Sequence, residues 1–130
     1  VNFANPDMVG HTGNLKAIVK ALEFLDTCVA KIVNSVLEKD GAIFFFFYHG
    51  NAEETINIQS GQKDTEHNIY PAPFILIMKE LKNKTPSNSF KEMLFEPIGS
   101  LCDIAPTILE LIKIPQPKEM TGISLLNSLK

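Results

Sequence analysis

The chain has 130 residues, 45% of them apolar, a net charge of −3 and a pI near 5.6. That length suits one domain with a real core. The acidic balance argues against nucleic acid as the main partner, and no apolar run approaches the ~20 residues needed to span a bilayer. All twelve basic residues are lysines, so the bidentate arginine clamp usual for phosphate is excluded within this chain. Cys28 and Cys102 lie far apart and form no CxxC, which reads as two reduced, buried thiols in a cytosolic protein.

Val1 to Ala4 reads as the end of a strand, broken by Asn5-Pro6-Asp7 because proline cannot donate to a ladder. The abrupt start, without Met, reads as a piece of something longer. From about Asn14 to Lys39 the apolar positions Leu15, Ile18, Leu22, Leu25, Val29, Ile32 and Val36 are spaced three and four apart. That spacing is one face of a long amphipathic helix, with Thr12 or Asn14 to cap it and Asp40-Gly41 to end it. Ala42 to Phe47 is predicted as a buried strand and Phe74 to Met78 as another. A strand–helix–strand order predicts a βαβ unit with parallel strands. Lys82 to Phe90 is a polar surface loop. Gly99 to Ile114 returns to helical spacing, with Pro106 in the first turn and Pro115-Gln116-Pro117 closing it. The tail from Thr121 to Leu126 has no clear state, and no repeat or second domain is visible.

The three histidines fall where a metal could use them: Asp7-x-x-x-His11, Tyr48-His49-Gly50-Asn51 and Glu66-His67. Carboxylate and imidazole ligands delivered from loops at strand ends build metal sites in α/β proteins. The residues alone leave other readings open. Asp7 could be a carboxylate at a helix N-terminus, favoured by the dipole, His11 a satisfied turn residue and His67 an exposed loop histidine. Asp103 reads as a helix N-terminal charge rather than a ligand, and Lys16 and Lys20 as a solvated helix face.

Asn2 through Gly13 resembles the metal-binding segment of cofactor-independent (2,3-bisphosphoglycerate-independent) phosphoglycerate mutase, of the alkaline-phosphatase superfamily. His49-Gly50-Asn51-Ala52-Glu53 is similar to that family's Asp-His-Gly-Asn motif, and His67 with Pro71-Ala72-Pro73-Phe74 to its third metal segment. Asp103 to Leu109 and Glu119-Met120-Thr121-Gly122 resemble its C-terminal helix and tail. The resemblance covers essentially the whole chain.

It implies an α/β alkaline-phosphatase-like three-layer sandwich, mostly a parallel sheet with flanking helices, of which residues 1–130 are the C-terminal portion only. The N-terminal part and the phosphotransferase domain would be absent. It implies an isomerase of glycolysis that interconverts 2- and 3-phosphoglycerate through a phosphoserine, with two manganese ions in the full enzyme. It also implies a cytoplasmic monomer without nucleic-acid or membrane partners. The serine nucleophile, an aspartate ligand, a lysine and the substrate-binding arginines would lie upstream, so no catalytic nucleophile is expected here.

By the same resemblance Asp7, His11 and His67 bind one metal and His49 the second, while Asn51 and Glu53 orient the turn and the ligands. Tyr48 stands where the family has a metal-ligand Asp, and a phenol with a pKa near ~10 is a poor ligand at neutral pH. Phe46 and Phe47 replace small residues, so overpacking is expected there. The chain alone is therefore expected to be inactive and to hold one manganese or none. The competing readings are a non-catalytic truncated remnant binding at most one metal, and a different metal-dependent phosphatase or phosphomutase of the same superfamily.

Overall fold

The computed structural model describes residues 1–82 and 97–129. These fall into two units, one of Val1–Gly41 with His49–Ala72, the other of Ala42–Tyr48 with Pro73–Lys130.

The first unit is built on two helices. Val1 to Ala4 has no regular structure, and helix α1 spans Asn5–Gly10. The expected strand end with a proline break is thus corrected. Pro6 lies in the first turn of a helix, where its missing N–H would have had no partner anyway. Helix α2 spans Leu15–Leu37. Both candidate caps are used: Asn14 Oδ1 accepts from the Ala17 N–H, and Thr12 Oγ1 accepts from the Asn14 N–H while donating to Val9 O. The far end closes as expected at Asp40-Gly41. Asp40 takes a left-handed φ of 55°, its N–H donates to Leu37 O, and the Gly41 N–H reaches back to Val36 O.

Helix α1 packs against α2. The predicted apolar face is only partly buried. Ile18 and Leu25 are in the core, Val29, Ile32 and Val36 are half-buried, and Leu15 and Leu22 are exposed. The rest of this unit is the segment from His49 to Ala72, stitched by a bridge between Gly50 and Asn68 and by another between Ile56 and Lys63.

The second unit contains the strands β1 (Ile43–Phe46) and β2 (Phe74–Ile77). They pair antiparallel, with Ile43 opposite Ile77 and Phe46 opposite Phe74. The expected strand–helix–strand unit, Val1 to Ala4 through the long helix to Ala42–Phe47, is not formed because residues 1–4 are not a strand, and the sheet among the described residues is antiparallel. A parallel neighbour needs a crossover, usually a helix, and the connection from Phe47 to Pro73 contains none. No residue of β1 is fully buried, against the expectation of a buried strand; the ribbon buries Leu76 and stacks Phe44 on Phe74 with centroids 5.6 Å apart. Nor are Phe46, Phe47 and Tyr48 overpacked: Phe46 and Tyr48 are exposed, and Phe47 meets Phe45 edge-on at 5.4 Å. A 3-10 turn at Lys79–Leu81 follows β2, and the predicted polar loop lies, beyond Lys82, outside the described residues.

The predicted C-terminal helix is a 3-10 turn, Leu101–Asp103, running into helix α3, Ile104–Leu111. Pro106 is its third residue and is fully buried. Lys113, with φ 59°, ends the helix in the same reversal as Asp40, just before Pro115.

The tail is not structureless. Leu125 and Leu126 are buried, and two side chains tie the tail to the helix. Asp103 accepts from the N–H groups of Ser100 and Ile123, both at 2.8 Å, and Thr107 Oγ1 donates to Asp103 O while accepting from the Leu125 N–H. Asp103 is therefore the helix-terminal charge expected, and more. Hydrogen bonds from Ile123 and Ser100 hold its carboxyl below the ordinary carboxylate pKa. Both cysteines are free, but the buried-thiol expectation fails for Cys102, which is exposed beside Ser100. Among the described residues no helix is long and apolar enough to cross a membrane.

Candidate metal centre

The candidate centre lies within the first unit and is organised around one oxygen atom. Asp7 is in the first turn of α1 and His11 caps its C-terminus, four residues on, so the two side chains share a helix face. His67 Nε2 lies 3.0 Å from Asp7 Oδ1, His11 Nε2 3.5 Å and His49 Nε2 3.8 Å. The His49 and His67 rings stack with centroids 3.7 Å apart, and His11 tilts against His67 at 4.9 Å. All four residues picked out in the sequence as metal ligands are thus brought together.

The side chains are held from behind. Asn51 is buried, and its Nδ2 donates to Asp7 Oδ1 at 2.7 Å and to Asp7 O at 3.3 Å. Glu53 Oε2 accepts from the Asn51 N–H at 3.0 Å, fixing the turn that carries Asn51. Two glycines make this approach possible. A Cβ on Gly10 would lie 2.5 Å from Asn51 Oδ1, and one on Gly50 would collide with the side chains of Asn68 and Glu53. Burial pushes the Asp7 carboxyl pKa up, but the hydrogen bonds from Asn51 and His67 and the nearby His11 and His49 outweigh it. The carboxyl ends below its ordinary value and is ionised at neutral pH.

The donor set fits a divalent cation. Ligand atoms from Asp7, His49 and His67 lie within 4.8 Å of one another. A cation bound at ~2.0–2.2 Å separates two ligand atoms by at most ~4.4 Å, so small side-chain movements would suffice. The structure does not sort the histidines into two separate half-sites; all three point Nε2 at the same carboxylate oxygen. Tyr48 falls in the other unit, just after β1, with an exposed side chain.

Sequence reasoning missed two features. His11 Nδ1 lies 2.6 Å from the carbonyl oxygen of Thr65, and a backbone carbonyl leaves no trace in residue identity. Asn68 Nδ2 is buried without a hydrogen-bond partner among the described residues, while Asn68 Oδ1 accepts from the Tyr70 N–H. Only the Gly50 pairing, invisible in sequence, places it there.

Clustered imidazoles about a carboxylate, backed by an amide and a carbonyl, make a candidate metal site. The chain belongs to the Metalloenzyme superfamily, whose family model matches residues 1–116. It is 48% identical over 126 residues to the 2,3-bisphosphoglycerate-independent phosphoglycerate mutase of Clostridium botulinum, covering 97% of this chain and 23% of that protein. Against the protein of the same name from Cyanothece sp. it is 47% identical over 130 residues, covering 100% of this chain and 24% of the relative. Against that from Clostridioides difficile it is 42% identical over 127 residues, covering 98% and 23%. The chain thus spans about a quarter of the length of these relatives.

Proposed function

We propose that this chain is the C-terminal metal-binding segment of a phosphoglycerate mutase, an isomerase that interconverts 2- and 3-phosphoglycerate in glycolysis through a phosphoserine. The observation that carries the proposal is the convergence of three imidazole Nε2 atoms and the Asn51 amide on Asp7 Oδ1, with the nearest at 2.7 Å and the farthest at 3.8 Å. The names of the relatives supply the substrate.

In this reading Asp7, His11 and His67 hold one manganese ion and His49 belongs to the second. Asn51 and Glu53 keep the ligand turn in place. When bound, the metal would supply Lewis-acid stabilisation of a phosphoryl or hydroxyl oxygen. Asp7 contributes the negative charge, the neutral imidazoles contribute lone pairs, and the Asn51 amide stops the carboxylate from swinging away. Tyr48 occupies the ligand position beside His49, which leaves the second half-site short of a carboxylate. The whole protein would be a cytoplasmic monomer with the three-layer alkaline-phosphatase-like sandwich, in which β1 and β2 form an antiparallel pair.

The chain alone is expected to bind at most one manganese and to catalyse nothing, since it carries no phosphorylatable serine matched to the family's nucleophile. The purified chain with added Mn²⁺ is assayed for interconversion of the two phosphoglycerates. No turnover above background is expected; measurable turnover would refute the half-site reading. In a full-length protein carrying this segment, Tyr48→Asp is expected to raise activity, and unchanged activity would mean that position 48 is not a ligand.

A further inference from the structure

We infer that Asp64 is a positioning residue for the metal centre: it aims the Thr65 carbonyl at His11 Nδ1 and so fixes His11 in the tautomer whose Nε2 can bind a metal. The inference rests on the metal-binding reading above and adds Asp64 and Thr65, which that reading does not use.

A carbonyl oxygen only accepts, so at 2.6 Å from Thr65 O the His11 Nδ1 carries the proton and donates it. With Nδ1 protonated, Nε2 is the nitrogen left to meet Asp7 Oδ1 at 3.5 Å, and once its own proton is displaced its lone pair is free for a metal. Metal-bound histidines are commonly fixed in this way by an acceptor on the far nitrogen. The Thr65 carbonyl needs a reason to point there, and the flanking residues supply it. Asp64 Oδ1 accepts from the Glu66 N–H at 3.0 Å, bending the chain around Thr65. Asp64 is itself the end of a small hairpin. Its N–H donates to Thr55 O at 3.0 Å, Ile56 bridges Lys63, and the Asn57 N–H donates to Gln62 O at 2.9 Å. Asn57 Oδ1 plugs the hairpin tip by accepting from the N–H groups of Gln59 and Ser60. A rigid hairpin followed by an Asp-centred turn therefore delivers one carbonyl to one imidazole nitrogen.

His67 offers the contrast. Its Nε2 lies 3.0 Å from Asp7 Oδ1, and no partner for its Nδ1 is found among the described residues. Nothing comparable holds His67 in the metal-ready tautomer, and His49 Nδ1 lies 3.4 Å from the Gly50 carbonyl oxygen, against 2.6 Å for His11 and Thr65 O.

The test uses the full 130-residue chain and two variants, Asp64→Ala and Asp64→Asn. Asn retains an oxygen that can accept from the Glu66 N–H; Ala does not. Long-range ¹H–¹⁵N spectra recorded without added metal report which His11 nitrogen is protonated. Mn²⁺ titration calorimetry then reports affinity. The parent chain and Asp64→Asn are expected to show protonated Nδ1 at His11 and similar affinities. Asp64→Ala is expected to show a mixture of tautomers and ~10–100-fold weaker Mn²⁺ binding, the usual size of such supporting contacts. An Asp64→Ala chain with His11 still wholly protonated at Nδ1 would overturn the inference, as would an Asp64→Asn chain that loses it. Because the tautomer is read without metal, the inference can fail while metal binding stands, whereas a parent chain that binds no Mn²⁺ would overturn the metal-binding reading on which the inference rests.

Discussion

Asp7 and Asp103 are two carboxylates with pKa values held below the ordinary range, and they serve opposite ends. Asp103 is satisfied mainly by backbone N–H groups and by Ser100, all fixed by the chain's own path. It offers no cluster of lone pairs to a cation. Its surroundings include the fully buried Thr107, and together the two residues fasten the C-terminal tail to α3. Asp7 is approached instead by three imidazoles and one amide. Imidazoles can give up a proton and present a lone pair, so that arrangement can pass from hydrogen bonding to ligation. The identity of the donors, more than the depression of the pKa, separates the structural carboxylate Asp103 from the candidate ligand Asp7.

The comparison can be broken at either end. The largest effect is expected from Asn51→Ala, which removes the 2.7 Å bond that steadies Asp7. Mn²⁺ binding measured by calorimetry is expected to weaken ~10–100-fold, because supporting contacts of this kind are usually worth that much. Affinity within twofold of the parent would mean that Asn51 is only a turn residue. The same variant is expected to leave the C-terminal staple untouched.

Thr107→Val acts on the other region. It keeps the shape but strands the buried Leu125 N–H, at a cost of about 1–3 kcal/mol in chemical denaturation. Mn²⁺ affinity is expected not to change, and a parallel loss of affinity would contradict the independence of the two regions.

The smallest effect concerns acid. The Asp103 carboxyl titrates below its usual 3.8 in the folded chain, so the unfolded chain binds its proton first. Its stabilising contribution is complete above that ordinary value and is lost as pH falls through the lower, folded-state value. Asp103→Asn is expected to flatten the stability profile in that acid window and nowhere else. An unchanged slope there would show that Asp103 is not a source of the acid sensitivity.

Much of this was legible from residue identity. Helix α2 announced itself through apolar spacing, a capping Asn14 and the Asp40-Gly41 stop, all local signals. That Asp7, His11, His49 and His67 belong together was legible because the segments that carry them resemble those of one family, and the fold brings the four side chains to one point. The features that were not legible are those set by chain path. Pro6 reads equally well as a strand breaker and as a helix first-turn residue, and only the backbone decides. The antiparallel pairing of β1 with β2 depends on how the segment from Phe47 to Pro73 turns back, which has no periodic signature. The staple from Asp103 to Ile123 spans 20 residues, and the Thr65 carbonyl on His11 spans 54. Neither spacing is encoded by a local preference.

The central claim is the proposal that Asp7 and the histidines around it hold one divalent ion, with no complete second set of ligands on this chain. Calorimetric titration of the 130-residue chain with Mn²⁺ tests it directly. The expected result is one tight ion per chain, abolished by Asp7→Asn. Two equivalent tight ions, or one that survives Asp7→Asn, would contradict it.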